Sequence, residues 1–276
     1  MNKIIITNDC LLAKHADECG IERIMIDLEV HGKQQRQGHL NTVISSHVIQ
    51  DVERVKSALN SAKLQVRINP IHDNSASEID AVISGGADII MLPMFKTVQE
   101  VVRFISLVQG RSRTCLLLET AEALARLDPI LSISGIDEIH VGLNDLHLAL
   151  QLDFMFELVS GGLVEYLSKK ILNKGIEFGF GGIARIGGGA LSANLVLSEH
   201  VRLGSNMVIL SRSFKGFKEK FSDIVKNIDL LVEINKLEDL ERCYKSSTLQ
   251  QLNNNKHCLE KEVALIVKQI NKNTMM

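Results

Sequence analysis

Short apolar runs rich in β-branched residues recur along the chain, and each is followed by a stretch in which apolar positions return at helical spacing. The runs are KIIIT (3–7), RIMIDLEV (23–30), LQVRINP (64–70), DIIMLPMF (88–95), TCLLLET (114–120), EIHVGL (138–143), FGFGGIA (178–184) and NMVILSRSF (206–214). They predict eight strands. Between them, SEIDAVISGG carries Ile79, Val82 and Ile83 on one helical face, and TVQEVVRFISLVQG does the same with Val98, Val101, Val102, Ile105 and Val108. Strand alternating with helix predicts an α/β fold with a parallel sheet, and eight such units within about 215 residues match a closed (β/α)8 TIM barrel. An open doubly wound sheet is disfavoured, because TNDCLL rather than a Gly-x-Gly-x-x-Gly turn follows the first strand. The run Gly187-Gly188-Gly189 after the seventh strand does not by itself identify a nucleotide loop.

Past Phe214 the pattern is helical throughout. Phe217, Phe221, Ile224, Ile228 and Leu231 fall at steps of four and three, which predicts one long helix with an apolar stripe. That stripe caps the barrel or reaches a neighbouring subunit. The polar stretch QQLNNNK (250–256) is read as a break before a last amphipathic segment with Leu259, Val263, Ile266 and Ile270. The expected organisation is a barrel over 1–214, helices over 215–249 packed on the barrel or a neighbour, and a tail helix over 250–276.

Composition narrows the function classes. Of 276 residues, 45% are hydrophobic and 23% charged, with a net charge of −2. That is ordinary globular usage, and it lacks the basic footprint of a nucleic-acid binder. No apolar run approaches the roughly 20 residues that span a bilayer, and MNKIIITND lacks the basic start and long apolar core of an export signal. A cytoplasmic protein with neither a membrane nor a nucleic-acid partner is expected. The five cysteines are scattered without a Cys-x-x-Cys pair, so they suggest neither a disulfide framework nor a zinc site.

In a barrel the chemistry sits at the C-terminal ends of the strands. There the second strand offers Asp27, Glu29 and His31, the third Arg67 and Asn69, the fifth Glu119, the sixth Asn144 and Asp145, the seventh Arg185 and the eighth Arg212. Glu119 and Asp145 stand out, because carboxylates converging from neighbouring strands repel by about 4 kcal/mol at about 4 Å and an effective dielectric of about 20. A hard octahedral cation such as Mg²⁺ or Mn²⁺ would neutralise them. The plain alternative is that each caps a helix. Among the histidines, His140 lies within a strand and reads as a hydrogen-bonded barrel residue, His147 faces the site or a neighbour, and His72 falls in a loop. His15, His39, His47, His200 and His257 read as structural or surface.

The blocks VRINP with Arg67, CLLLET with Glu119 and HVGLNDLHLAL with Asp145 resemble the HpcH/HpaI aldolase and citrate lyase β-subunit family of the phosphoenolpyruvate/pyruvate barrel superfamily. The resemblance runs from about residue 22 to 214, includes GADIIMLPMFKTVQEV (86–101), and extends to the 26-residue spacing of Glu119 and Asp145. It implies that Glu119 and Asp145 hold Mg²⁺, Mn²⁺ or another divalent cation, which chelates a pyruvate-like unit whose oxygen Arg67 also contacts. A metal with a guanidinium stabilises the enolate left by carbon–carbon cleavage. A Schiff-base route is disfavoured, because Lys33 and Lys96 in loops are the nearest lysines to the strand ends.

The sequence departs from the family at the second strand. Its aldolases carry Asp-Gly-Glu-His there with the His as acid/base, whereas Asp27-Leu28-Glu29-Val30-His31 is one residue longer. The acid that the family places near Ser84 to partner that His is missing here, although Asp80 stands one helical turn earlier. Asp27-Leu28-Glu29 half matches the citrate lyase branch. The resemblance therefore implies a metal-dependent lyase of the class II pyruvate aldolase type, acting on a 4-hydroxy-2-oxo acid through a pyruvate enolate. His31 is then the candidate acid/base, and Asn144, Arg185 and Arg212 are candidate substrate contacts. Arg185 and Arg212 point to an acidic second half of the substrate. An acyl-CoA lyase of the citrate or malyl-CoA type and a barrel that binds a metabolite without turnover are the alternatives. Family members form trimers and hexamers, which implies a homo-oligomer.

Overall fold

The computed structural model describes residues 1–30, 47–218 and 220–274. Eight parallel strands follow one another in order around a closed barrel, β1-β2-β3-β4-β5-β6-β7-β8. They are β1 (Asn2–Ile6), β2 (Arg23–Asp27), β3 (Lys63–Arg67), β4 (Ile89–Leu92), β5 (Arg113–Leu118), β6 (Glu138–Val141), β7 (Glu177–Ile183) and β8 (Met207–Leu210). The predicted barrel is present. Every residue of β2, β4 and β6 is buried, and β4, IIML, accordingly reads as a continuous apolar run rather than as an alternation.

The chain divides into two compact units, Ile4–Ile139 and Met1–Lys3 with His140–Met276. In the first, the helices among the described residues are α1 (Cys10–Glu18), α2 (Gln50–Lys56), α3 (Ser75–Ser84), α4 (Val98–Val108), α5 (Ala121–Ala125) and α6 (Leu127–Leu131). The start of α4 shows how the sequence fixes an element. Thr97 accepts from the Glu100 amide, Glu100 accepts from the Thr97 amide, and Val101, Phe104 and Val108 turn inward. At the N-terminal ends of the strands, Arg23 reaches Glu138 through both terminal nitrogens at 2.5 and 3.1 Å, and Arg113 Nε adds a third bond at 3.1 Å. This end of a barrel serves stability rather than chemistry.

The second unit contains α7 (Leu143–Ala149), α8 (Glu157–Ser160), α9 (Leu163–Leu172), α10 (Ala193–Arg202), a 3₁₀ turn (Arg212–Lys215), α11 (Phe221–Asn227), α12 (Leu230–Lys245) and α13 (Leu249–Thr274). Two expectations fail here. The long helix from Phe217 to Leu231 is interrupted, because Ile228 is extended (φ −133, ψ 121) and the Asp229 carboxylate caps the next helix by accepting from Val232 N. Only part of the stripe is therefore covered: Ile224 and Ile228 are buried, whereas Phe217 is 69% exposed. The polar stretch 250–256 is not a break but lies within the 26-residue α13. Its polar residues have partners on neighbouring helices: Asn255 donates to Ser198, and Lys256 reaches Glu165, which also holds Arg202 at 2.8 Å. Those cations, Arg202 first, keep the Glu165 carboxyl far below its ordinary pKa.

Candidate active site

The C-terminal ends of β2, β3 and β5 in the first unit build a charged cluster. Asp27 and Arg67 are the last residues of their strands and are paired in register. That pairing lets the guanidinium fork onto the carboxylate, Nε to Oδ1 at 2.8 Å and Nη2 to Oδ2 at 2.7 Å. Nη1 lies 3.5 Å from Glu29 Oε2. All three acids at this rim, Asp27, Glu29 and Glu119, are 2–3% exposed. Burial pulls the Arg67 pKa down, but the Asp27 charge and hydrogen bond, with Glu29 and Glu119 behind them, more than reverse this and raise it above its ordinary value. The guanidinium is therefore a fixed cation at every working pH.

Glu119 does not cap the following helix. Thr120 does so, accepting from Ala123 N, which displaces the capping alternative. Glu119 Oε1 instead accepts from the amide of Met94, a non-glycine residue held at φ 52 in the loop after β4. A left-handed methionine at a strand end is a costly conformation that the surrounding loop must hold.

A hydrogen-bond network centred on Glu78 braces the same rim. Asn69 Oδ1 accepts from Val30 N, Asn69 Nδ2 donates to Glu78 Oε1, and His72 Nε2 lies 3.1 Å from Glu78 Oε2. Because His72 Nδ1 accepts from Asn74 N, its ring proton sits on Nε2 and points at Glu78. His72 is thus tied to α3 rather than loose in solvent. Asp80, the substitute acid considered for His31, pairs with Arg111 and is 60% exposed. His31 itself lies outside the described residues. His47, which carried no signal in the sequence, accepts the Asp27 amide on Nδ1 at 2.9 Å.

In the second unit, Asn144 and Asp145 occupy the first turn of α7, whose N-cap is Gly142 with no side-chain cap bond. The capping alternative is displaced for Asp145 as well. His147 Nδ1 is 3.1 Å from the Leu143 carbonyl one turn earlier. His140, as expected, is a hydrogen-bonded barrel residue, with Nε2 3.0 Å from Gly181 O. Arg185 follows β7 and its amide donates to Ser213 Oγ, while Arg212 is exposed and opens the 3₁₀ turn after β8, in which Phe214 and Lys215 are buried.

A closed parallel barrel whose charged residues collect at the C-terminal strand ends has the architecture of a barrel enzyme. A family model described as HpcH/HpaI aldolase/citrate lyase matches residues 6–156, more than half of the chain, and the protein belongs to that family, which is one of lyases. Among solved structures, an HpcH/HpaI aldolase from Desulfitobacterium hafniense DCB-2 superposes with a TM-score of 0.60 at 14% identity, over 82% of this chain and 93% of that one. An HpcH/HpaI aldolase/citrate lyase family protein from Burkholderia cenocepacia J2315 does so with a TM-score of 0.60 at 12% identity, over 88% and 94%. At such identities the likeness shows the fold. No curated protein matches the chain. Among the described residues, no helix is long and apolar enough to cross a membrane.

Proposed function

We propose that this protein is a divalent-metal-dependent carbon–carbon lyase that cleaves or forms a 4-hydroxy-2-oxo acid, with pyruvate as one half. Arg67 carries the reading: a permanent cation clamped by Asp27 at the catalytic end of the barrel, beside Glu29 and Glu119, in a chain of an aldolase and citrate lyase family. Cleavage leaves an electron pair on C3 of the pyruvate unit, delocalised onto the C2 oxygen. Asp27 takes the Nε proton and one on Nη2, so the remaining N–H groups of Nη1 and Nη2 are the ones to meet that oxygen. A donor already in place costs no reorganisation when the charge forms. The proton of the 4-hydroxyl must pass to a base, and the sequence resemblance gives that role to His31.

The sequence resemblance gives the metal to Glu119 and Asp145, and carboxylates are the donors that a hard cation such as Mg²⁺ or Mn²⁺ would take. Among the described residues no three His, Cys, Asp or Glu side chains gather as a metal cluster, and a site of two carboxylates does not require one. When bound, such an ion supplies a Lewis acid to the carboxylate and keto oxygens of the pyruvate unit. Glu119 is suited to this use because its burial and its bond from Met94 N fix its orientation.

The test is exchange of the pyruvate methyl protons with deuterated water, with Mg²⁺, with Mn²⁺ and with chelator, alongside pyruvate release from 4-hydroxy-2-oxo acids. Metal-dependent exchange and release are expected. Pyruvate binding without exchange under any metal would replace the lyase with a metabolite-binding barrel.

A further inference from the structure

Reversible carbon–carbon cleavage moves two protons, one on the 4-hydroxyl and one on C3 of the pyruvate unit, and the C3 proton needs a carrier of its own. The rim of the first unit offers one at Glu29. Side chains alternate along β2, so Arg23, Met25 and Asp27 share the inner face, where Arg23 Nη1 meets Gln65 Oε1 at 3.4 Å and Gln65 Nε2 donates to Met25 Sδ at 3.6 Å. Glu29 continues that alternation past the end of the strand. Its backbone is tied on both sides: Leu28 N donates to Arg67 O at 2.8 Å, Glu29 N to Asp27 Oδ1 at 3.2 Å and Val30 N to Asn69 Oδ1 at 3.0 Å. Glu29 thus leaves a fixed stretch of chain, is 2% exposed, and brings Oε2 to 3.5 Å from Arg67 Nη1.

Holding Arg67 does not account for Glu29. Asp27 already holds it with both oxygens, at 2.8 and 2.7 Å, whereas 3.5 Å is beyond the usual N–H···O range. A buried carboxylate carries a desolvation cost, and a contact of that length recovers little of it. Its position explains it better. Nη1 is one of the two nitrogens that remain to meet the C2 oxygen of the pyruvate unit. An oxygen accepting from Nη1 at about 2.9 Å is no more than about 6.4 Å from Glu29 Oε2, and C3 is two bonds from that oxygen.

We infer that Glu29 is the proton carrier at C3. In condensation its carboxylate takes a proton from the pyruvate methyl, and the C–H electron pair passes into the enolate. In cleavage the Glu29 carboxylic acid returns a proton to C3 as the enolate becomes pyruvate. The proton lost from the 4-hydroxyl to a separate base and the proton gained at C3 balance, and solvent restores both groups. The inference rests on the lyase reading.

The test measures exchange of the pyruvate methyl protons with deuterated water in the presence of Mn²⁺. Glu29→Gln keeps the size of the side chain and removes the proton acceptor. It is expected to slow exchange at saturating pyruvate by about 10²- to 10⁴-fold, the range of general acid–base catalysis, while the Kd values of pyruvate and Mn²⁺ by calorimetry stay within about threefold. Acetate or formate added to Glu29→Ala is expected to restore exchange in proportion to its concentration, because a small carboxylate takes the same proton. Should Glu29→Ala not fold, Glu29→Asp decides: it keeps a carboxylate and is expected to exchange faster than Glu29→Gln, and equal rates overturn the inference. A residue that only braces Arg67 gives another pattern, in which exchange and pyruvate binding fall together and added acetate restores nothing. That pattern, or exchange in Glu29→Gln at the wild-type rate, overturns the inference while wild-type exchange upholds the lyase reading. A wild type that binds pyruvate and exchanges under no metal removes the lyase reading, and the role of Glu29 falls with it.

Discussion

Arg67 and Asp27 stand opposite each other in the β2–β3 register, and the guanidinium grips both carboxylate oxygens, at 2.8 and 2.7 Å. The pair fixes the plane of the cation at a strand end, which serves to brace the rim and also to aim the remaining N–H groups. Arg67→Lys separates these roles, because lysine keeps the charge and loses the fork. A catalytic Arg67 predicts a fall in turnover of about 10²–10³ with a smaller change in pyruvate affinity. A bracing Arg67 predicts a lower melting temperature with turnover intact. Both quantities are measured on one preparation.

Glu119→Gln keeps an acceptor for the Met94 amide while removing the negative charge. It is expected to weaken Mn²⁺ binding, read by calorimetry, without altering the circular dichroism spectrum. Asp145→Asn, in the first turn of α7, should act in the same way. An unchanged Mn²⁺ affinity in either variant would remove that residue from the metal site.

Strand order was legible because strands buried on both faces read as apolar runs, and β4, IIML, is the clearest case. The ends were less so: the run 23–30 was read as strand, yet β2 stops at Asp27, where the Glu29 amide bonds back to the Asp27 side chain. The individual rim residues Asp27, Glu29, Arg67 and Glu119 were visible as polar interruptions. Which acid grips Arg67 was not, because it depends on register between segments about 40 residues apart. His47 had no local signal, since its link is to a backbone amide on another element. The split at Ile228 was hidden because the apolar spacing continues through it, and only the Asp229 cap reveals the second helix start.

The Arg23–Glu138 pair at the opposite end of the strands is expected to be structural. Its side chains are 6% and 0% exposed, so removing one partner strands a buried charge. Arg23→Ala should cost about 3–5 kcal/mol in urea unfolding, with activity per folded molecule retained. Arg113→Ala should cost less, because that side chain is 48% exposed. Equal losses for the two would contradict this assignment.

Phe217, Leu231 and Val232 are 69%, 48% and 44% exposed in the helical segment after β8. Such apolar exposure in one segment favours burial against another copy, and a homo-oligomer is the expected state. Light scattering at micromolar concentration checks it, and Phe217→Asp is expected to shift the population toward smaller particles. A monomeric wild type would end this reading.

His200 supplies a prediction on acid stability. The ring is fully buried, lies flat on Phe180 at a centroid distance of 3.8 Å and an angle of 4°, and places Nδ1 2.8 Å from Ser205 Oγ. Burial, then the neighbouring His140, lowers its pKa from 6.5 to about 3. The folded protein therefore refuses a proton that the unfolded chain accepts below pH 6.5, so stability rises with pH across this window. The contribution is complete above pH 6.5 and is lost progressively as pH falls toward 3. Between pH 7.5 and 5 the loss from this one group amounts to about 2 kcal/mol. His200→Gln removes the titrating ring, and the difference in urea unfolding free energy between those two pH values should shrink by that amount even if the variant is less stable throughout. A slope unchanged by the substitution would mean that other groups, and not this stacked histidine, set the acid limit of the fold.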